Sequence, residues 1–248
     1  MIKVTFDVET SPNIVATFGL FNQNIGINQI LTPSKVICWA AKFYDEKQVR
    51  FASTFHDGEE TMVKQMHEIL EQTESVITYN GNSFDLPQMA RMFQSYDLKP
   101  PAPSRRIDLY RTVKSVFKFP SSKLDYVCQE LGIGAKTAHA GMDLWLKCME
   151  NDTAAWNLMR QYNRNDVVLT EKLYDKLLPW IPNHPSESVD TGGDVCPNCG
   201  SFDLQRRGFS TTKTAKYQRY QCQGCGAWSK NNQRLGAATH ILGIGVNS

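Results

Sequence analysis

An α/β fold with a small, metal-held, β-rich appendage is predicted by three features of the 248-residue sequence. β-Rich segments come first and then interleave with helical periodicities to about residue 178. Two CxxC pairs are confined to the last quarter. A proline-, serine- and glycine-rich stretch lies between. With 41% apolar, 10% aromatic and 21% charged residues of both signs, the chain can bury a core, which excludes disordered, collagenous and coiled-coil classes.

Taken in order, Ile2 to Phe6 alternates and is β-rich. Val36 to Tyr44, VICWAAKFY, is an apolar run suited to a buried central strand, and Gln48 to Thr54 and Ser75 to Tyr79 read as further strands. Helical periodicity marks Glu59 to Gln72, Leu86 to Tyr96, Lys123 to Leu131 and, most clearly, Asp152 to Leu177. Asp57 with Glu60 three residues on reads as a capping box for the first helix. Strands followed by helices and returning strands give a three-layer domain with a mixed sheet.

The longest apolar run, about Val36 to Ala41, is far short of the roughly 18 residues of a spanning helix, so no membrane association is expected. The start, MIKVTFDVET, carries two carboxylates where a signal peptide needs an uncharged core. A reducing cytoplasm is therefore expected, and in it seven cysteines point to metal ligation for some of them rather than to disulfides.

Cys196/Cys199 and Cys222/Cys225, in CPNCG and CQGCG, are expected to hold one structural Zn²⁺. Two thiolates three apart grip a metal from one side, the following glycine turns backbone amides toward the sulfurs, and a second such knuckle completes a tetrahedron. The segment between the pairs has room for a hairpin or three short strands, and KYQRYQC alternates like one. Cys38, Cys128 and Cys148 sit in apolar contexts as core residues. LPWIPNHPSESVDTGGD, residues 178–194, has linker composition. The expected organisation is an α/β domain over 1–180, a linker over 181–194, a zinc ribbon over 195–235 and a tail over 236–248. Residues 1–185 hold 20 Lys and Arg against 21 Asp and Glu, whereas 186–248 hold 7 against 4. The near-neutral total thus conceals a basic tail domain.

Three carboxylate motifs carry the chemistry. Residues two apart on a strand share a face, so Asp7 and Glu9 in FDVET project together from the end of the first strand, before Ser11-Pro12 stops it. In YNGNSFDLP, residues 79–87, a strand ends, a Gly/Asn turn follows, and Phe84-Asp85 opens a helix whose first turn tolerates Pro87. Asp85 there is either a helix cap or a site residue. In QYNRNDVVL, Tyr162 and Asp166 are four apart and share a helix face; no other Tyr in the chain has Asp at that offset.

In this order the motifs resemble DEDD-type 3′-5′ exonucleases with a ribonuclease H-like fold, in the tyrosine subclass. FDVET resembles the first exonuclease motif. Asn80 to Asp85 matches the N-x-x-x-F-D form of the second, as in proofreading domains of family B DNA polymerases, and YNRND supplies the third. Ser122-Lys123-Leu124-Asp125-Tyr126 with the later LGIGAK is similar to a segment those domains carry between the second and third. The histidine subclass would need His at 161, which is Gln. Polymerase motifs are absent, so the chain looks like a stand-alone exonuclease, similar to single-domain proteins of bacteria and their phages.

The resemblance implies catalysis by Asp7, Glu9, Asp85, Tyr162 and Asp166 with two divalent cations, Mg²⁺ or Mn²⁺, for which hard carboxylates are the fitting ligands. Asp7 is implied to bridge both ions, Glu9 and Asp166 to complete the site nearer the nucleophilic water, and Asp85 to serve the other. Tyr162, with an ordinary pKa near 10, is implied to position that water rather than take its proton. Asn80 and Phe84 are expected to contact substrate, Asn80 at the backbone and Phe84 by stacking. Lys123 ends a basic flank of Arg105, Arg106, Arg111, Lys114 and Lys118, expected to track phosphates. In the ribbon, basic residues interleaved with Tyr217, Tyr220 and Trp228 suggest nucleic-acid binding, with a replication or repair protein as the other candidate partner. The expected function is a metal-dependent 3′-5′ exonuclease acting on single-stranded DNA or DNA 3′ ends. The alternatives are an exoribonuclease of the same fold or a non-catalytic nucleic-acid-binding adaptor.

Overall fold

The computed structural model describes residues 1–44, 46–138, 140–187 and 194–237. Two compact units divide the chain, one spanning Ile2–Asp175 and the other beginning at Lys176. Most of the stretch from 188 to 194 in the expected linker, and the tail beyond 237, lie outside the described residues.

The first unit is built on a five-stranded mixed sheet in the order β5-β4-β1-β6-β7. Its strands are β1 (Lys3–Thr10), β4 (Val36–Phe43), β5 (Arg50–Ser53), β6 (Ser75–Thr78) and β7 (Arg105–Asp108). β1 pairs antiparallel with β4 and parallel with β6; β6 pairs parallel with β7. A short hairpin, β2 (Ile14–Val15) with β3 (Ile30–Thr32), leaves the sheet between β1 and β4. β1 runs past the apolar alternation that predicted it, because its ladder with β4 continues through Asp7↔Ala40 and Glu9↔Cys38. Asp7 and Glu9 therefore sit near the end of a strand that is still paired with β4, as expected.

Helices α1 (Glu59–Glu71) and α2 (Asp85–Ser95) cover one face of the sheet, and α5 (Met142–Met149) and α6 (Thr153–Leu177) the other. Val4, Phe6 and Val8 point to the first face and meet Met62, Met66, Met89 and Phe93. Their burial is worth roughly 1.5–3 kcal/mol per side chain. By the two-residue period of a strand, Asp7 and Glu9 point to the opposite face, under α6. There Ile37 and Cys38 pack against Leu144, Cys148, Trp156 and Met159. The buried indoles are satisfied: Trp39 donates to the Met62 carbonyl at 2.8 Å and Trp156 to the Cys148 carbonyl at 3.0 Å. α6 is tied to β4 and its following residue by Lys42 to Glu171 at 2.5 Å and by the Tyr44 hydroxyl to Asp175 at 2.7 Å.

Two local features differ from the sequence expectation. The helix after residue 57 has Gly58 at its N-cap, with φ 81° and no side-chain cap. Asp57 instead accepts the Ser53 amide at 2.9 Å, so its carboxylate is spent on the preceding turn and no capping box forms. The basic flank folds as β7 and α3 (Leu109–Val116), with Asp108 capping α3 by accepting the Tyr110 amide at 3.1 Å. α4 (Leu124–Glu130) begins just after Lys123.

The second unit carries an antiparallel sheet of β8 (Leu204–Thr211), β9 (Ala215–Cys222) and β10 (Trp228–Ala237), with β9 central. KYQRYQC lies in β9 as expected, and the third strand falls after the second cysteine pair rather than between the pairs. The fold expectation of an α/β, three-layer, mixed-sheet domain with a small β-rich ribbon matches this architecture.

The turn joining β6 to α2 tolerates only glycine at 81, where an added Cβ would lie 2.4–2.6 Å from the Thr78 side chain. Gly81→Ala is expected to cost about 1–3 kcal/mol by overpacking, read as a shifted denaturant midpoint; a change below roughly 0.5 kcal/mol, the scale of a neutral surface substitution, would contradict this packing.

Candidate active site

Strand β1 and helix α6 bring three of the motif acids together. Asp7, Glu9 and Asp166 each offer a carboxylate oxygen, and these oxygens lie within 4.8 Å of one another. Asp85 reaches the same edge of β1, accepting the Val8 amide, between Asp7 and Glu9, at 2.9 Å. Phe84, not Asp85, occupies the N-cap of α2; the Asp85 carboxylate bonds the Val8 amide of β1 as well as its own backbone amide.

The turn that delivers Asp85 is pinned from β7. Asp108 accepts the amides of Asn80 at 2.9 Å and Asn82 at 3.3 Å besides capping α3. Asn80 itself adopts φ 70°. Its side chain is half-buried, Phe84 is 38% exposed and Lys123 exposed, so Phe84 retains a free ring face beside Asp85. The Tyr79 hydroxyl donates to the Ser122 carbonyl at 2.5 Å, joining this turn to the segment that ends in Lys123.

α6 contributes more than Tyr162 and Asp166. Asn163, fully buried, donates its amide to Asp7 Oδ2 at 2.7 Å. Lys136 sends its ammonium to Asp166 Oδ2 and, at 3.0 Å, to the Tyr162 hydroxyl. Its backbone is fixed by Asp125, which accepts the Lys136 amide at 2.7 Å. The segment SKLDYVCQELGIGAK thus has a physical use: a helix carboxylate anchors the loop whose lysine enters the acid cluster. The sequence reading missed Lys136, Asn163 and the pinning role of Asp108. Only Asn163 carried a local signal, being one residue from Tyr162.

So many carboxylates in one half-closed site repel one another. Desolvation, then the charges of Asp85, Glu9 and Asp166, raise Asp7 well above the ordinary carboxylate range. Desolvation and Asp166 raise Glu9 to about 8, and desolvation raises Asp85 to about 7. Asp166 is also raised by desolvation, against the pull of Lys136. Desolvation pushes Tyr162 upward, so its hydroxyl stays protonated.

These residues fit a hard divalent cation. The donors are all carboxylates, the set preferred by Mg²⁺ and Mn²⁺. Among the described residues Asp166 Oδ1 is buried without a hydrogen-bond partner, and the Lys136 ammonium stands where positive charge is needed.

In the second unit, Cys196, Cys199, Cys222 and Cys225 place four sulfurs within 4.8 Å of one another. Cys196 to Cys225 and Cys199 to Cys222 are each 3.6 Å, against about 3.8 Å across a tetrahedron with metal–sulfur bonds near 2.3 Å. The cysteines are free thiols, and the cluster fits a zinc ribbon. Burial pushes the Cys222 thiol up, but hydrogen bonds from the Cys225 amide, Cys199 and the Gly224 amide outweigh it and bring it down to about 7. The ribbon sheet carries cation–π pairs: Arg219 over Trp228 at 4.7 Å, Lys230 over Tyr217 at 4.5 Å and Lys216 over Phe209 at 3.9 Å. Cys38, Cys128 and Cys148 are buried in the first unit.

A family model described as RNase_H superfamily matches residues 31–178, more than half of the chain. The chain belongs to the RNase_H superfamily. The match holds Asp85, Tyr162 and Asp166 and begins after the strand that carries Asp7 and Glu9. Among solved structures, the family B DNA polymerase from the hyperthermophilic archaeon Pyrobaculum calidifontis is similar at 17% identity and a TM-score of 0.56. The likeness covers 72% of this chain and 24% of the polymerase, and at that identity it shows the fold alone. No curated protein matches the chain. Superfamily and fold support a nuclease, and a nuclease fold implies nucleic-acid binding. Among the described residues no helix is long and apolar enough to cross a membrane.

Unfolded carboxylates titrate near 4, whereas folded Asp85 and Glu9 are raised to about 7 and about 8. A raised folded value favours the protonated native state. Without Mg²⁺ or Mn²⁺ this contribution to stability is complete below about pH 4 and is lost as pH rises through about 7 to 8. Thermal melts of protein dialysed free of both ions should show Tm falling from about pH 4 to 8, with Mn²⁺ restoring it; a flat profile would contradict the raised Asp85 and Glu9. Metal analysis should find about one zinc per chain, lost in Cys196→Ser along with ribbon folding; full zinc retention in that variant would rule out the four-sulfur site.

Proposed function

We propose that the protein is a metal-dependent 3′-5′ exonuclease of the tyrosine subclass acting on single-stranded DNA or DNA 3′ ends. The observation that carries this reading is the meeting of Asp7, Glu9 and Asp166 within 4.8 Å, with Asp85 bonded to the same strand. Bound divalent cations would supply the charge that stabilises the attacking and leaving oxygens of a phosphodiester. Asp7, Glu9 and Asp166 would hold one such ion, and Asp85 and Asp7 would serve a second.

The remaining groups orient and shield. The Tyr162 hydroxyl accepts from Lys136 and donates to Asp166, so its oxygen is held at a fixed place beside the acids. With its proton firmly retained, Tyr162 positions the attacking water and does not deprotonate it. Asn163 holds the Asp7 carboxylate in one orientation. Phe84, half open beside Asp85, stacks on the terminal base, and Asn80 contacts the backbone. The exposed bases from Arg105 to Lys123 track the phosphates, and the cation–aromatic surface of the ribbon holds nucleic acid outside the chemical step.

Digestion of single-stranded DNA and RNA labelled at either end tests this reading. With Mn²⁺ or Mg²⁺, loss should start at the 3′ end of DNA, stop on chelation, and fall by roughly a thousandfold in Asp7→Ala, where charge stabilisation is removed. Tyr162→Phe should lower kcat by roughly ten- to a hundredfold with little change in KM. Metal-independent or 5′-directed cleavage would refute the proposal.

A further inference from the structure

The loop between β1 and β4 is unlike the rest of the first unit. From Ser11 to Ser34 there is no charged residue, while six positions are Asn or Gln. Phe18 is wholly exposed and Leu20, Phe21 and Ile27 nearly so, an apolar surface left in water at its tip.

The loop is nonetheless built, not slack. At its base the Ser11 amide donates to the Lys35 carbonyl at 2.8 Å and the Ser34 amide to Asn13 Oδ1 at 2.7 Å. Midway, Ala16 and Gln29 are joined twice, amide to carbonyl at 2.9 Å and Gln29 Nε2 to the Ala16 carbonyl at 3.0 Å. At the tip the Thr17 hydroxyl donates to the Gly19 carbonyl at 3.0 Å, and Gln23 Nε2 to the Phe21 carbonyl at 2.8 Å. These bonds order the tip while the two phenyl rings and the Asn22, Asn24 and Asn28 side chains stay exposed, which lowers the entropy lost when something binds them.

The strand it leaves bounds the distance of its base from the acids. Ile14 follows Glu9 by five residues, so the hairpin base lies within roughly 18 Å of the acid cluster by chain reach.

We propose that this hairpin binds the unpaired bases of the strand entering the acid cluster, Phe18 and Phe21 stacking on base faces and the neighbouring amides meeting base edges. The inference rests on the nuclease reading and adds a second substrate-binding element to it. Phosphate tracking requires Lys or Arg, which this segment lacks and the Arg105 to Lys123 flank supplies. A membrane-surface loop would carry basic residues beside its apolar ones. Neutral aromatic and amide side chains match what bases offer once the phosphates are held elsewhere: a π-face of any sequence and donor–acceptor edges.

The test measures binding separately from cleavage. Anisotropy of fluorescein-labelled oligo(dT), and of the same strand with abasic sites, is followed on the full chain without Mg²⁺ or Mn²⁺. For Phe18→Ala/Phe21→Ala the Kd of the base-bearing strand should rise roughly tenfold or more while that of the abasic strand stays put; Tm should not change, since both rings are exposed. Unchanged affinity for the base-bearing strand, equal weakening on both strands, or no binding by the parent protein would overturn the proposal, the first assigning the apolar tip to a protein partner. Cleavage with Mn²⁺ is scored in parallel: an inactive parent protein that still shows the base-dependent loss sinks the nuclease reading and leaves the hairpin assignment standing.

Discussion

Four carboxylates crowded against the middle strand of a sheet set the terms for the rest of the first unit. Like charges drawn from water repel strongly, and the acids respond by holding protons well above their ordinary range. Nearly every neighbouring device compensates that charge or prevents the acids from moving apart. Lys136 lends a cation, Asn163 a neutral donor, and the Val8 amide a fixed partner for Asp85. The arrangement is unstable by itself and orderly only with positive charge among the carboxylates, which is how a site made for divalent ions is expected to look.

The positions of those acids are inherited from secondary structure. β1, anchored to β6 at Lys3 to Thr5 and paired with β4 through Asp7 and Glu9, holds those two acids in a period-two register. α6, tied to the β4 side of the sheet by Lys42–Glu171 and Tyr44–Asp175, sets Tyr162, Asn163 and Asp166 above them. The turn before α2 is closely held: Gly81 allows the close approach to Thr78, and one carboxylate, Asp108, binds two amides of the turn while capping the next helix. Asp108 positions the turn that carries Asp85, and its charge adds to the raising of Asp85.

What the sequence made legible follows from which interactions are local. Strand period, helix period and the cysteine spacing are set by neighbours in the chain, so the sheet, the long helix and the ribbon could be read directly, as could the co-facing of Asp7 with Glu9 and of Tyr162 with Asp166. β7 was hidden because two of its four residues are arginines, and its strand character comes from pairing with β6. The capping box failed because Gly58, with positive φ, takes the N-cap and Asp57 finds a partner behind it. Lys136 and Asp108 act across 30 and 28 residues of sequence, and nothing in a local pattern marks such a contact.

The central claim is that the acid cluster is a cation site held partly protonated in the absence of its cation. Titration of Mn²⁺ into the protein by calorimetry at about pH 7, repeated in buffers of different ionisation enthalpy, tests it directly. Binding should release protons, because Glu9, raised to about 8, and its neighbours must give them up to become ligands, and both binding and release should vanish in Asp7→Asn. Binding without proton transfer, or binding that survives Asp7→Asn, would contradict it.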